Sequence, residues 1–195
     1  MADRPSRLFV AVPVPSGPLA EVSALIEGVR EGPLGRVPRW VQLETLHLTV
    51  RFLGDTQPDD VPAVADSVAG ALAGFQAFDV ELAGAGSFPP SGKPRTLWLG
   101  LARGATELGA LAAALSAALE PLGWPADTRP YRPHLTVARL DAASRADGAT
   151  IADVLAHAAG DFRTTFRAER AVLYRSHLGG GAPRHEAVRE VALRD

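Results

Sequence analysis

Hydrophobic and polar positions along this chain switch repeatedly between a two-residue and a 3.6-residue rhythm, as expected where strands alternate with helices. Residues 7–14 (RLFVAVPV) read as a mostly buried strand, and residues 17–30 place apolar side chains at helical spacing. The loop GPLGRVPRW follows, then Trp40 and Val41 lead to a strand over residues 46–53, closed by Gly54 and Asp55. The segment DDVPAVADSVAGALAG has acidic residues first and small apolar ones after, the order a helix start prefers. Strands are expected at 78–82 and 96–101, separated by the turn-rich GAGSFPPSGKP. Residues 105–123 make the clearest helix, rich in Ala and Leu and ended by Gly123 and Pro125. RPYRPHLTVARL carries another strand, SRADGATIADVLAHAAG a further helix, and FRAERAVLYRSHL and HEAVREVAL two closing strands around the turn GGGAP.

Two of the strands carry the same four letters. His47 to Val50 read His-Leu-Thr-Val, and His134 to Val137 repeat them 87 residues later. In a strand, side chains two apart share a face, so His47 lies beside Thr49 and His134 beside Thr136. Leu48, Val50, Leu135 and Val137 then point to a core. Strand and helix alternate in two comparable halves around these motifs, the outline of a duplicated α+β unit. Residues 1–195 are expected to form a single domain of two pseudo-symmetric lobes.

Imidazole titrates near neutrality, so a pair of histidines can supply one base and one acid. Two threonine hydroxyls can donate to an oxyanion such as phosphate held between them. Arg51 shares the strict alternation of His47 and Thr49, and Arg129 and Arg132 lie just before the second motif. Arg139 alternates onto the opposite face from His134 and is set aside as a direct contact. The residues require one acid and one base without saying which histidine is which.

Composition narrows the field. At 195 residues, 47% hydrophobic and 22% charged, with a formal charge of −2, the chain has no general basic surface for nucleic acid. Any nucleic acid must be held locally. Only one of its 20 basic residues, Lys93, is a lysine, which disfavours a lysyl-adenylate ligase. The lack of cysteine excludes thiol nucleophiles and zinc–thiolate sites and fits a reducing cytoplasm. No metal signature, phosphate-cradling Gly-Lys-Ser/Thr loop or Gly-x-Ser-x-Gly elbow occurs. Pro13 and Pro15 interrupt the only stretch resembling a signal peptide, and no apolar run approaches the roughly 20 residues of a membrane span.

The paired His-x-Thr-x tetrads resemble those of the two-histidine (2H) phosphoesterases, and their setting resembles the LigT-like RNA 2′,3′-cyclic phosphodiesterases. The similarity runs through RLFVAVPVP, Trp40-Val41 before LHLTVRFLG, GSFPP before RTLWLGL, RPYRPHLTVARL and LYRSHL. It implies an α+β bilobal fold, two antiparallel sheets facing across a central cleft with helices outside. It also implies metal-independent, cofactor-free hydrolysis of RNA 2′,3′-cyclic phosphate ends to 2′-phosphomonoesters by a monomer. His134 would be the base that activates water and His47 the acid that protonates the leaving 3′-oxygen. Thr49 and Thr136 would hold the phosphate, with Arg51, Arg132 and Tyr131 as further substrate contacts. The chain departs from the family at His185, where a tyrosine is usual. Alternatives are a phosphodiesterase acting on ADP-ribose cyclic phosphate, another small cyclic nucleotide or a 2′-5′ linked oligonucleotide, and a non-catalytic RNA- or nucleotide-binding module.

Overall fold

The computed structural model describes residues 6–141, 143–177 and 184–195. Among these residues nine strands form one antiparallel, curled sheet: β1 (Ser6–Pro13), β2 (Arg39–Trp40), β3 (His47–Thr56), β4 (Phe78–Phe88), β5 (Thr96–Arg103), β6 (Leu135–Arg139), β7 (Arg163–Ala168), β8 (Arg170–His177) and β9 (Arg184–Ala192). Their order is β7-β4-β5-β6-β3-β1-β8-β9, with β2 added alongside β6. Four helices accompany them, α1 (Ser16–Arg30), α2 (Val61–Leu72), α3 (Ala105–Leu119) and α4 (Arg145–Ala158). The expected α+β architecture is therefore present. The two four-stranded layers are joined in the middle, where β3 meets β6 through a single bridge, Leu48 to Leu135.

Local chemistry explains most boundaries. Pro15 precedes α1, where a missing N–H costs nothing. Ser144 caps α4 by accepting from the Asp147 amide at 3.1 Å. The expected helix over 105–123 divides into α3 and a 3₁₀ turn over Glu120–Leu122, and Gly123, with φ 99°, ends it. The segment read as one strand from Phe166 to Leu178 divides at Glu169: β7 pairs with β4 at one edge of the sheet and β8 with β1 in the other layer. The expected turn over residues 179–183 lies outside the described residues.

The sequence halves are not the halves of the sheet. β1 and β3 share a layer with the late strands β8 and β9, while β4 and β5 join β6 and β7. Helices cross over as well: α1 packs with α4 against β7 and β4, whereas α3 packs with α2 beneath β3, β8 and β9. Each half of the chain thus contributes strands to both layers. Leu8, Val10, Val12, Leu48, Val50, Leu97, Leu99, Leu135 and Val137 turn into the helix-covered core, all nearly or fully buried. The other sheet face is left for chemistry.

Candidate active site

The Leu48–Leu135 bridge decides how the tetrads meet. In an antiparallel register it sets His47 toward Thr136 and Thr49 toward His134, all on the face opposite the two buried leucines. The tetrads therefore present a twofold-like arrangement of two imidazoles and two hydroxyls.

Both histidines are tethered alike. His47 Nδ1–H donates to the Thr45 carbonyl at 2.6 Å, and His134 Nδ1–H donates to the Arg132 carbonyl at 2.7 Å. A carbonyl only accepts, so each tether places the proton of the neutral ring on Nδ1 and leaves the Nε2 lone pair available. Two equivalent nitrogens, each able to take or give a proton, result from one local rule applied twice: a histidine bonded to the carbonyl two residues before it.

Each imidazole leans on an aromatic wall. His47 stacks on Phe9 with centroids 4.8 Å apart, and Tyr174 lies 6.4 Å away. His134 meets Phe88 edge to face at 5.0 Å and Trp98 at 6.3 Å. The Trp98 indole lies across Gly86, where an added Cβ would come within 2.5 Å of the ring, so the glycine is required for that packing. Burial among these rings disfavours the charged imidazole. It pushes His47 down to about 4, against a smaller upward pull from the Thr45 carbonyl and with a further downward one from His185. His134 is lowered too, by burial first, with the Arg132 carbonyl opposing.

The family model described as the 2′-5′ RNA ligase superfamily matches residues 9–180. The chain belongs to this superfamily of two-histidine phosphoesterases. An RNA 2′,3′-cyclic phosphodiesterase from Geobacillus stearothermophilus is 33% identical over 134 residues, 69% of this chain and 42% of that protein. One from Archaeoglobus fulgidus is 32% identical over 134 residues, 69% of this chain and 72% of the relative. The chain thus spans under half the length of the first relative and nearly three quarters of the second. Apo Escherichia coli LigT superposes with a TM-score of 0.76 over 99% of this chain and 100% of that one, at 22% identity, which shows the shared LigT-like fold.

Within this 2H phosphoesterase, both tetrads end in a β-bulge, and the bulges alter which neighbours face the histidines. β1 pairs Ala11 with Thr49 but Val10 with Arg51, so Val50 is an extra residue; β5 pairs Trp98 with Thr136 but Leu97 with Ala138, so Val137 is extra. The alternation slips by one at each site. Arg51 therefore turns toward the core, contrary to the expectation that it shares the face of His47 and Thr49. It is only 5% exposed, donates to Asp127 at 2.6 Å and also to the Pro125 carbonyl. The same slip returns Arg139, set aside on strict alternation, to the face of His134 and Thr136, opposite Thr96 on one side and Arg39 on the other. Phe52 holds the matching place after the first tetrad and is 62% exposed.

Tyr131, expected as a substrate contact, reaches back to the first tetrad. Its hydroxyl donates to the Thr49 carbonyl at 2.8 Å, and burial raises its pKa. Trp124 Nε1 donates to the Leu53 carbonyl at 3.1 Å, so Trp124, Asp127 and Tyr131 together stitch the approach to the second tetrad along β3. Arg132 and Arg129 are exposed, and the Arg132 backbone, rather than its guanidinium, sets the orientation of His134. Trp40 packs against the core and donates to the Gly35 carbonyl at 2.8 Å. Among the described residues, no group of three or more His, Asp or Glu side chains is arranged to hold a metal ion.

Replacing Arg51 with methionine should lower stability by about 1–3 kcal/mol, because the stitching is cut and its carbonyl and carboxylate partners lose a charged donor. Denaturant midpoints measure this, and an unchanged midpoint would contradict the structural role. The His47 shift has a signed consequence for stability. A histidine whose folded pKa lies below its unfolded value of about 6.5 makes the unfolded state bind more protons, so stability falls as pH drops from about 6.5 toward 4. His47→Phe should remove up to about 3 kcal/mol of that loss, seen by comparing the pH 7 and pH 4.5 midpoints of both proteins. Equal slopes in the two would show that His47 titrates normally.

Proposed function

We propose that this 2H phosphoesterase hydrolyses RNA 2′,3′-cyclic phosphate ends to 2′-phosphomonoesters, working as a monomeric, single-domain cytoplasmic enzyme without metal or cofactor. The observation that carries the reading is the pair of identically tethered histidines, whose two Nε2 atoms lie on one sheet face beside two threonines. The relatives' names supply the substrate class: each is an RNA 2′,3′-cyclic phosphodiesterase.

In this scheme neutral His134 takes a proton from water through Nε2 as the water oxygen bonds to phosphorus. The bond from phosphorus to the 3′-oxygen breaks, and protonated His47 delivers its Nε2 proton to that oxygen. Thr49 and Thr136 donate to the non-bridging oxygens, where negative charge grows. The products are a 2′-phosphate and a free 3′-hydroxyl, with one proton taken up and one given out by the enzyme. The next cycle restores the starting state by exchange between the rings and solvent.

The depressed pKa of His47 bears on the acid role. In the empty site its ring is neutral near pH 7, because burial outweighs the Thr45 bond. A cyclic phosphate seated beside it brings a negative charge that favours the imidazolium, so the acid is loaded as substrate binds. The assignment of His47 as acid and His134 as base follows the family resemblance, since the two tethers are alike.

The test is incubation in EDTA with an oligoribonucleotide ending in a 2′,3′-cyclic phosphate, with phosphorus NMR following the end group. The wild type should yield the 2′-phosphate with a bell-shaped pH profile, and His47→Ala and His134→Ala should each lose roughly 10²-fold to 10⁴-fold in kcat. An intact end group after incubation with folded wild-type protein would overturn the proposal.

A further inference from the structure

His185 is the feature that the tetrads do not account for. The register of β8 with β9 pairs it with Ser176, and that of β1 with β8 pairs Tyr174 with Phe9, so His185 rises on the same face as the Phe9 and His47 rings. It meets both edge to face: its centroid is 5.0 Å from Phe9 at an interplanar angle of 79°, and 5.4 Å from His47 at 85°. Phe9 also stacks on His47, so the three rings form a compact triangle. The His47 ring thus packs against a stacked phenyl and a perpendicular imidazole that also pack on each other, with its Nδ1 tied to Thr45. Rotation about its Cβ–Cγ bond would break all three contacts.

Taking the two-histidine hydrolase reading as its basis, we propose that His185 is a positioning residue for His47, fixing the ring that delivers the proton and coupling that ring's charge to its own. The coupling is specific to a histidine at this place. Tyrosine or phenylalanine would supply the same edge without a charge, whereas protonated His185 sets a cation against His47. The two rings then titrate as a pair.

The surrounding groups favour a direct interaction. Phe9 from β1 carries no charge, and Tyr174 from β8, 6.2 Å away, is neutral, its pKa raised by burial. Arg175, His177 and Glu186 form their own cluster: Arg175 and Glu186 are register partners, adjacent to Ser176 and His185 and hence on the opposite face of the β8–β9 pair. Arg184, next to His185 in β9, pairs with His177 on that same opposite face. His185 is itself lowered by burial, partly offset by the Arg184 backbone, and contributes to the depression of His47.

Proton NMR titration of the imidazole resonances tests the coupling without substrate. In His185→Phe, which keeps a ring and loses the charge, the His47 pKa should rise by about half a unit or more, the effect of one like charge 5.4 Å away screened almost as in water. The kcat/KM limb governed by His47 should move to higher pH with it. His185→Ala should lower kcat about 10-fold or more with little change in KM, and His185→Phe should restore most of that loss. An unmoved His47 titration in His185→Phe, or unchanged turnover in His185→Ala, overturns the proposal. Lack of turnover in every form, wild type included, would sink the hydrolase reading, while the titration would still decide whether His185 acts on His47.

Discussion

The bridge between Leu48 and Leu135 is the constraint on which the rest of the site depends. Among the described residues it is the sole strand pairing between β3 and β6, and it joins two otherwise separate antiparallel layers. Both leucines are fully buried, so the core holds the bridge from below while the histidines before them and the threonines after them emerge above. A slip of one residue would turn every one of those side chains over. The polar stitches from Trp124, Asp127 and Tyr131 to β3 guard against such a slip. They run along the bulges, where Tyr131 and Trp124 take up the Thr49 and Leu53 carbonyls.

The bulges give the site its asymmetry. Both tetrads share a five-residue pattern of burial, from Leu48 to Phe52 and from Leu135 to Arg139, but the residue at the end of each differs in chemistry. On the His47 side the exposed residue is Phe52, and on the His134 side it is Arg139. An aromatic surface thus flanks one histidine and a cation the other. His47 packs against Phe9 and His185, while His134 stands against Phe88 and Trp98. Two copies of one motif therefore face different electrostatic surroundings, which is what an acid and a base acting together require.

How much of this was legible in the sequence follows from which physical rules are local. The tetrads were legible because a period of two fixes His47 beside Thr49 and His134 beside Thr136 wherever the strands lie. Arg51 and Arg139 were misplaced because strict alternation assumes that no residue is added, and Val50 and Val137 are added. A trace of the bulge was present: Leu135, Val137, Ala138 and Leu140 place two apolar residues in succession, which a regular half-buried strand avoids. In the first copy Phe52 masked the same break, since an apolar residue in that position reads as core. The interleaving of the two halves was not legible, because strand order is set by long-range pairing. The break between β7 and β8 likewise depends on opposite edges of the sheet competing for one continuous run. The part of His185 in enclosing His47 needed the β8–β9 register, although its departure from the usual tyrosine had marked it.

The central claim is that the two tetrads act as one unit rather than as two contributors. The most direct measurement is kcat for cyclic phosphate hydrolysis in His47→Ala, His134→Ala and the double variant, with folding verified for each. Groups that act together lose almost everything when either is removed, so the double variant should be about as slow as the slower single one. Losses that multiply, with the double variant slower by the product of the two single effects, would show the histidines working independently and would contradict the account.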